Sequence, residues 1–172
     1  MRSGRSAKPG SVVNERDHTS PPHRGAPAIV FEALTTTEGL TSWWGPDECP
    51  VLSAAADVRV GGRFRVRFRV AAGSEHADGA SEHECAGEFL EIEAPRRIVM
   101  SWQWLSGGDP GERERVSRLE LHLRPIDTGT ELTLIHAELR DETTARSHEW
   151  GWGGALDKLT RRLASLADQT AR

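Results

Sequence analysis

The clearest pattern along the chain is an alternation. In RFRVRFRV, residues 63–70, Phe64, Val66, Phe68 and Val70 fall on one face and four arginines on the other. That period of two is the signature of a half-buried β-strand. Related runs follow. HECAGEFLEIE, residues 83–93, reads as a second strand in which Phe89, Leu90 and Ile92 break the alternation, which predicts a bulge or edge. RRIVMSWQWL sets Ile98, Met100, Trp102 and Trp104 on one side. Leu119, Leu121 and Leu123 alternate with Glu120 and His122, and ELTLIHAEL offers Leu132, Leu134 and His136 on one face. Between these two runs, Asp127-Thr128-Gly129-Thr130 predicts a hairpin turn, with Gly where a positive φ is wanted.

Helical patterns bracket the strands. PAIVFEALT has apolar residues at 29, 30, 33 and 34 with Pro in the first turn. Thr36 or Thr37 can cap a second short helix, TEGLTSWW, which Gly45-Pro46 ends. Two adjacent tryptophans cannot both point into one core from a regular element. At this corner Trp43 and Trp44 are expected to serve different surfaces, unless both simply fill the corner. At the other end of the chain Trp152, Leu156, Leu159, Leu163 and Leu166 recur at 4-3-4-3 spacing, one apolar stripe on a long helix that Asp141 or Thr143 can cap. Extending the stripe backwards reaches Glu149 and then Ala145. Lys158 is expected to be exposed, and Gly151, Gly153 and Gly154 to leave room around the helix. One-faced strands need a cover, and this stripe is the only apolar surface long enough. The predicted fold class is α+β: a curved antiparallel β-sheet wrapped around a long C-terminal helix, with two short helices near the N-terminus.

Composition narrows the function. With 172 residues, the chain can hold one domain with a core and an internal cavity. A net charge of −4 argues against nucleic acid or an anionic membrane as partner, and the Arg63–Arg69 ladder reads as a solvated outer face with acidic neighbours such as Glu88. No run has the length of a membrane span or signal peptide. The two cysteines, Cys49 and Cys85, show no metal spacing and read as free thiols in a reducing cytoplasm. His76, His83 and Cys85 flank a polar loop without recognised ligand spacing, so no metal and no cofactor are expected.

VFEALTTTEGLTSWWGP, VGGRFRVRF, GEFLEIEAPRRIVMSW, GTELTLIHAEL and GWGGALDKLTRRL occur in the order and spacing of one family. Over roughly residues 27–166 the chain resembles the domain homologous to the activator of heat-shock-protein-90 ATPase, in the START-like (SRPBCC) superfamily. The resemblance implies a helix-grip fold with an apolar cavity between sheet and helix. It divides the chain into a disordered tail (1–10), a degenerate first strand with an insertion (11–26) and the START-like domain (27–168). It also implies one of three functions. The first is non-catalytic binding of a small hydrophobic or aromatic molecule. The second is a chaperone co-factor role, for which the chain is expected to lack the separate N-terminal domain of the eukaryotic co-chaperone. The third is a cyclase or dehydratase. The protein is expected to be a monomer or homodimer.

The expected ligand-binding residues are Trp44, Phe68, Met100, Trp102, Trp104, His136, Glu149 and Trp152. Trp supplies bulk plus an N–H donor, which suits a flat apolar ligand, although core filling alone would account for most of these positions. His136 and Glu149 are the only catalytic candidates. If strand and helix bring them together, they form an acid–base pair in an apolar cavity; otherwise His136 sits at a strand end in water and Glu149 snorkels.

Overall fold

The computed structural model describes residues 16–70, 81–108 and 110–170. The expectations placed on residues 1–15, and on His76, lie outside that range. The element order is β1 (Arg16–Thr19), α1 (Pro27–Thr35), α2 (Thr37–Trp43), β2 (Val51–Ala56), β3 (Arg63–Val70), β4 (Ser81–Glu93), β5 (Arg97–Ser106), β6 (Ser117–Ile126), β7 (Gly129–Ala137) and α3 (Glu142–Thr170), with a single 3-10 turn at Pro110–Glu112 before β6. The strands form one sheet in the order β1-β7-β6-β5-β4-β3-β2, every neighbouring pair antiparallel.

Each strand buries the face that its alternation marks. In β3 Phe64, Val66, Phe68 and Val70 are buried and the arginines exposed, with Arg65 paired to Glu84 and both Arg67 and Arg69 to Glu82 on β4. The break in β4 is a register shift between Phe89 and Glu91 against β5. It buries Phe89 and leaves Leu90 exposed. β2 is a strand the pattern did not suggest. Its VLSAAA has small residues and a register irregularity near Leu52, so no alternation marks it.

β1 forms on the outer edge of β7, and the chain after it stays pinned despite its prolines. Backbone bonds join Ser20 to Leu132 and, reciprocally, His23 to Thr130. The His23 imidazole lies between Ser20 Oγ at 2.6 Å and Thr160 Oγ1 at 3.2 Å, tying this segment to α3.

The sheet's inner face closes on α3. Asp141 caps the helix, its carboxylate accepting from the Thr144 N–H at 2.8 Å. Trp152, Leu156, Leu159 and Leu163 are buried, and half-buried Leu166 continues the stripe. Thr36 caps α2 through the Gly39 N–H. α1 touches β6 and β7, while α2 touches β2 and α3, so the short helices close one end of the grip. The WWGP corner then packs on α3 at Gly154, where a Cβ would come within 2.6 Å of the Pro46 ring. Gly154 is therefore required by contact, whereas Gly151 and Gly153 face open space.

Lys158 departs from expectation. It is half-buried and donates to the Trp44 and Gly45 carbonyls at 3.3 and 3.4 Å, satisfying orphan acceptors at the end of α2. Burial lowers its pKa, with Asp47 opposing that shift. Leu159→Ala is expected to destabilise by about 2–5 kcal/mol, and exposed Arg162→Ala by less than about 0.5 kcal/mol, with Lys158→Ala between them in urea denaturation. Equal losses at Leu159 and Arg162 would contradict this placement of α3.

Candidate functional site

Between the open end of the sheet and the first half of α3 lies a cavity of about 670 Å³. Trp44 and Phe68 form one wall, Trp102 and Trp104 of β5 the floor, and Trp150 and Trp152 of α3 the opposite side. The rings meet edge to face: Trp44 on Trp152 at 5.3 Å and Trp102 on Trp104 at 4.7 Å between centroids, geometries that aromatic quadrupoles favour. Trp43, by contrast, is 1 % exposed, donates its N–H to the Ala33 carbonyl at 2.9 Å and packs with Leu34, Phe64 and Phe89 in the filled end of the core. The two tryptophans of the corner thus serve different surfaces.

Of the residues expected at a binding site, Trp44, Phe68, Trp102, Trp104 and Trp152 line this cavity, and Met100, His136 and Glu149 do not. Met100 belongs to the filled core beside Phe89 and Leu119. Glu149 is exposed on α3, and His148 occupies the buried position instead. The stripe steps back from Trp152 by four residues, not three. On a helix that turns about 100° per residue, this one-residue difference moves a side chain from core to solvent.

His136 is fully buried and wholly engaged. Its Nδ1 accepts the Trp152 indole N–H at 3.0 Å, so the ring proton is on Nε2, which donates to Ser117 Oγ at 2.8 Å. Ser117 in turn donates to the Trp102 carbonyl at 3.2 Å. Both ring nitrogens are committed to structure, and the expected His136–Glu149 acid–base pair does not form. Burial lowers the His136 pKa well below the usual value, and nearby His148 and His18 lower it further.

Polar groups gather at the end of the cavity near the start of α3. His148 packs edge-on against His136, with ring centroids 4.5 Å apart, and burial lowers its pKa to about 4. Thr144 lies one turn earlier on the same face. Glu112, buried in the 3-10 turn, has the Arg140 guanidinium 3.9 Å from its carboxylate. His83 accepts the Gly108 N–H at Nδ1, leaving Nε2 to donate to Ser81 Oγ. Among the described residues no group of three potential ligands clusters as a metal site. The sequence reading missed His148, Thr144, Glu112 and Trp150. A backward step of four from Trp152 would have found the first two, while nothing in the PGE turn signals that Glu112 is buried.

A curved antiparallel sheet gripping a long helix, with an aromatic cavity between them, defines a helix-grip domain of the START-like class. The chain belongs to the family described as activator of Hsp90 ATPase homolog 1-like protein, whose model matches residues 25–164. Solved structures share the fold. A Nitrosomonas europaea protein is 20 % identical with a TM-score of 0.69, covering 92 % of this chain and 97 % of its own. An AHSA1 protein from Silicibacter pomeroyi is 24 % identical with a TM-score of 0.67, covering 87 % and 97 %. An AHSA1-like protein from Aeromonas hydrophila is 19 % identical with a TM-score of 0.67, covering 89 % and 94 %. Among curated proteins none matches the sequence.

The buried imidazoles set a pH dependence. His23, lowered to about 4 by burial, joins His136 and His148 as groups that stay neutral in the fold while the unfolded chain takes up protons near pH 6.5. Their contribution to stability is complete above about pH 6.5 and is lost as pH falls towards 4. The carboxylates with lowered pKa, such as Asp141 at about 2, lose theirs only at lower pH. Stability measured by urea denaturation should hold from pH 8 to 7 and then fall, with a slope of up to about 4 kcal/mol per pH unit for three protons. NMR titration midpoints near 6.5 for all three imidazoles would contradict this.

Proposed function

We propose that the protein binds a small hydrophobic or aromatic molecule, without catalysis, in the cavity between the sheet and α3. One observation carries this reading: five of the six tryptophans line a single cavity of about 670 Å³. Protein interiors ordinarily pack to crystal density, so a void of that size walled by the largest side chains is a built feature, and its volume is that of a small-molecule site. The filled end of the core, around Trp43 and Phe89, leaves no room for even a water molecule. The hollow is thus confined to one end. Half-exposed Trp150, at 45 %, stands at its rim.

Family membership favours a second reading, an interaction module that engages an Hsp90-type chaperone, and stimulation of a cognate chaperone's ATPase by the protein would support it. The cyclase or dehydratase reading loses its footing, since His136 and Glu149 do not meet. Cys49 and Cys85, buried and not joined in a disulfide, fit a protein working in the reducing cytoplasm. No helix among the described residues is long and apolar enough to cross a membrane.

N-phenyl-1-naphthylamine, a neutral fluorescent probe, should bind the native protein saturably and quench its tryptophan emission. Gly151→Phe places a ring at a lining position where a Cβ meets nothing within 4 Å, and should weaken that binding about fivefold or more without loss of stability. A folded protein that ignores the probe would refute the cavity reading.

A further inference from the structure

The cavity has a polarity axis. Along α3, Thr144 and His148 border one end and Trp152 and Ala155 the other, about 16 Å apart at 1.5 Å per residue. Near the WWGP corner the walls are apolar. At the start of α3 two polar side chains border the void without a hydrogen-bond partner among the described residues. His148 is 9 % exposed. Its ring nitrogens make no hydrogen bond among the described residues, while both nitrogens of neighbouring His136 are committed to Trp152 and Ser117. Thr144 is 4 % exposed, and its buried hydroxyl makes no hydrogen bond among the described residues. Burying such groups unpaired costs free energy, and two of them on adjacent turns of one helix face mark a place where something else supplies the bonds.

Several other polar groups around the cavity already have partners. The Trp152 N–H is held by His136, and the N–H edge of Trp104 lies under Gly108. The buried Trp102 N–H, by contrast, has no hydrogen-bond partner among the described residues and, with its ring centroid 4.8 Å from that of His148, adds a donor at the same end. His83 is bonded at both nitrogens. Residues four apart on a helix place their Cβ atoms about 5–6 Å from each other, so one oxygen atom can lie between Thr144 and His148. A hydroxyl fits both: it donates to the unprotonated imidazole nitrogen and accepts from the threonine O–H.

Charge selects the head group further. Buried Glu112 already places a carboxylate at this end, with Arg140 as its charge partner. Arg146, the cation on the cavity's border, is largely exposed and paired with Glu142. An anionic head would meet Glu112 without a buried cation of its own. A cationic head would be desolvated beside a carboxylate whose charge Arg140 already offsets. Neither is favoured.

Resting on the cavity reading above, we propose that His148 and Thr144 form a head-group site for a neutral hydroxyl, so that the ligand is a flat apolar molecule carrying a hydroxyl at one end.

The test compares 2-naphthol with 2-methylnaphthalene, in which a methyl replaces the hydroxyl, and with 2-naphthoate, by isothermal titration calorimetry at pH 7.5. The wild-type protein should bind 2-naphthol about tenfold tighter than 2-methylnaphthalene, the value of one buried hydrogen-bonded group, and should bind 2-naphthoate most weakly. Thr144→Val, which keeps shape, and His148→Phe, which keeps a ring, should each cost 2-naphthol about fivefold and leave 2-methylnaphthalene unchanged. His148→Gln, which keeps a hydrogen-bonding group, should restore part of the loss. Equal affinity for the naphthol and the methylnaphthalene, or a preference for the carboxylate, would overturn the head-group site while leaving the cavity reading intact. Binding of none of the three would overturn the cavity reading and this assignment with it.

Discussion

A directed hydrogen-bond chain through four elements holds the grip in register. The Trp152 N–H of α3 donates to His136 of β7, His136 donates to Ser117 of β6, and Ser117 donates to the Trp102 carbonyl of β5. Apolar packing is non-directional and would allow the helix to slide or roll over the leucines beneath it. A buried chain in which every donor has one acceptor tolerates no such freedom, because any shift leaves a polar group unpaired in an apolar interior. It also fixes His136 as a neutral ring protonated at Nε2. The imidazole that looks catalytic in the sequence is structural in the fold, and acid weakens the fold at this point.

Because this chain fixes α3 over β5–β7, the two halves of the interior can differ. Towards α1 and α2, Leu34, Trp43, Phe64, Phe89, Leu119 and Leu121 close so tightly that no water molecule fits between them. Towards the start of α3, Trp102 and Trp152 stand upright on the chain, and Trp44 reaches across from the WWGP corner to meet them. Gly154 lets the corner approach, with Pro46 packed directly on the helix, and Lys158 holds the corner's carbonyls. Large side chains braced edge to face can frame a void without collapsing into it. The filled half supplies stability and the hollow half is free for binding.

The fold was legible because its strands are one-faced. RFRVRFRV needs no neighbour to be read, and β4's bulge shows in the adjacency of Phe89 and Leu90. β2 was hidden because Ala and Ser give no contrast between faces. Within the cavity the tryptophans were legible, since bulk on an inward strand face has few other uses. The polar end was not. Steps of three and four both continue a helical stripe, and the choice between Glu149 and His148 is made by how α3 rotates against β7. Lys158 was misplaced for a related reason, since a long side chain at the edge of the stripe can turn to carbonyls that only the tertiary fold brings near. Glu112 depends on a loop packing over the cavity end, which no local pattern encodes.

The central claim is that the hollow behind the tryptophans receives an apolar molecule while the rest of the core stays shut. The six indole N–H signals of the ¹⁵N-labelled protein separate the two regions, because five belong to residues lining the cavity and one, Trp43, to the filled core. Titration with N-phenyl-1-naphthylamine, followed by ¹H–¹⁵N correlation spectra, should move the signals of Trp44, Trp102, Trp104, Trp150 and Trp152 and leave Trp43 with the smallest shift. Indole signals that stay in place, or a Trp43 signal that moves as far as the other five, would contradict the account.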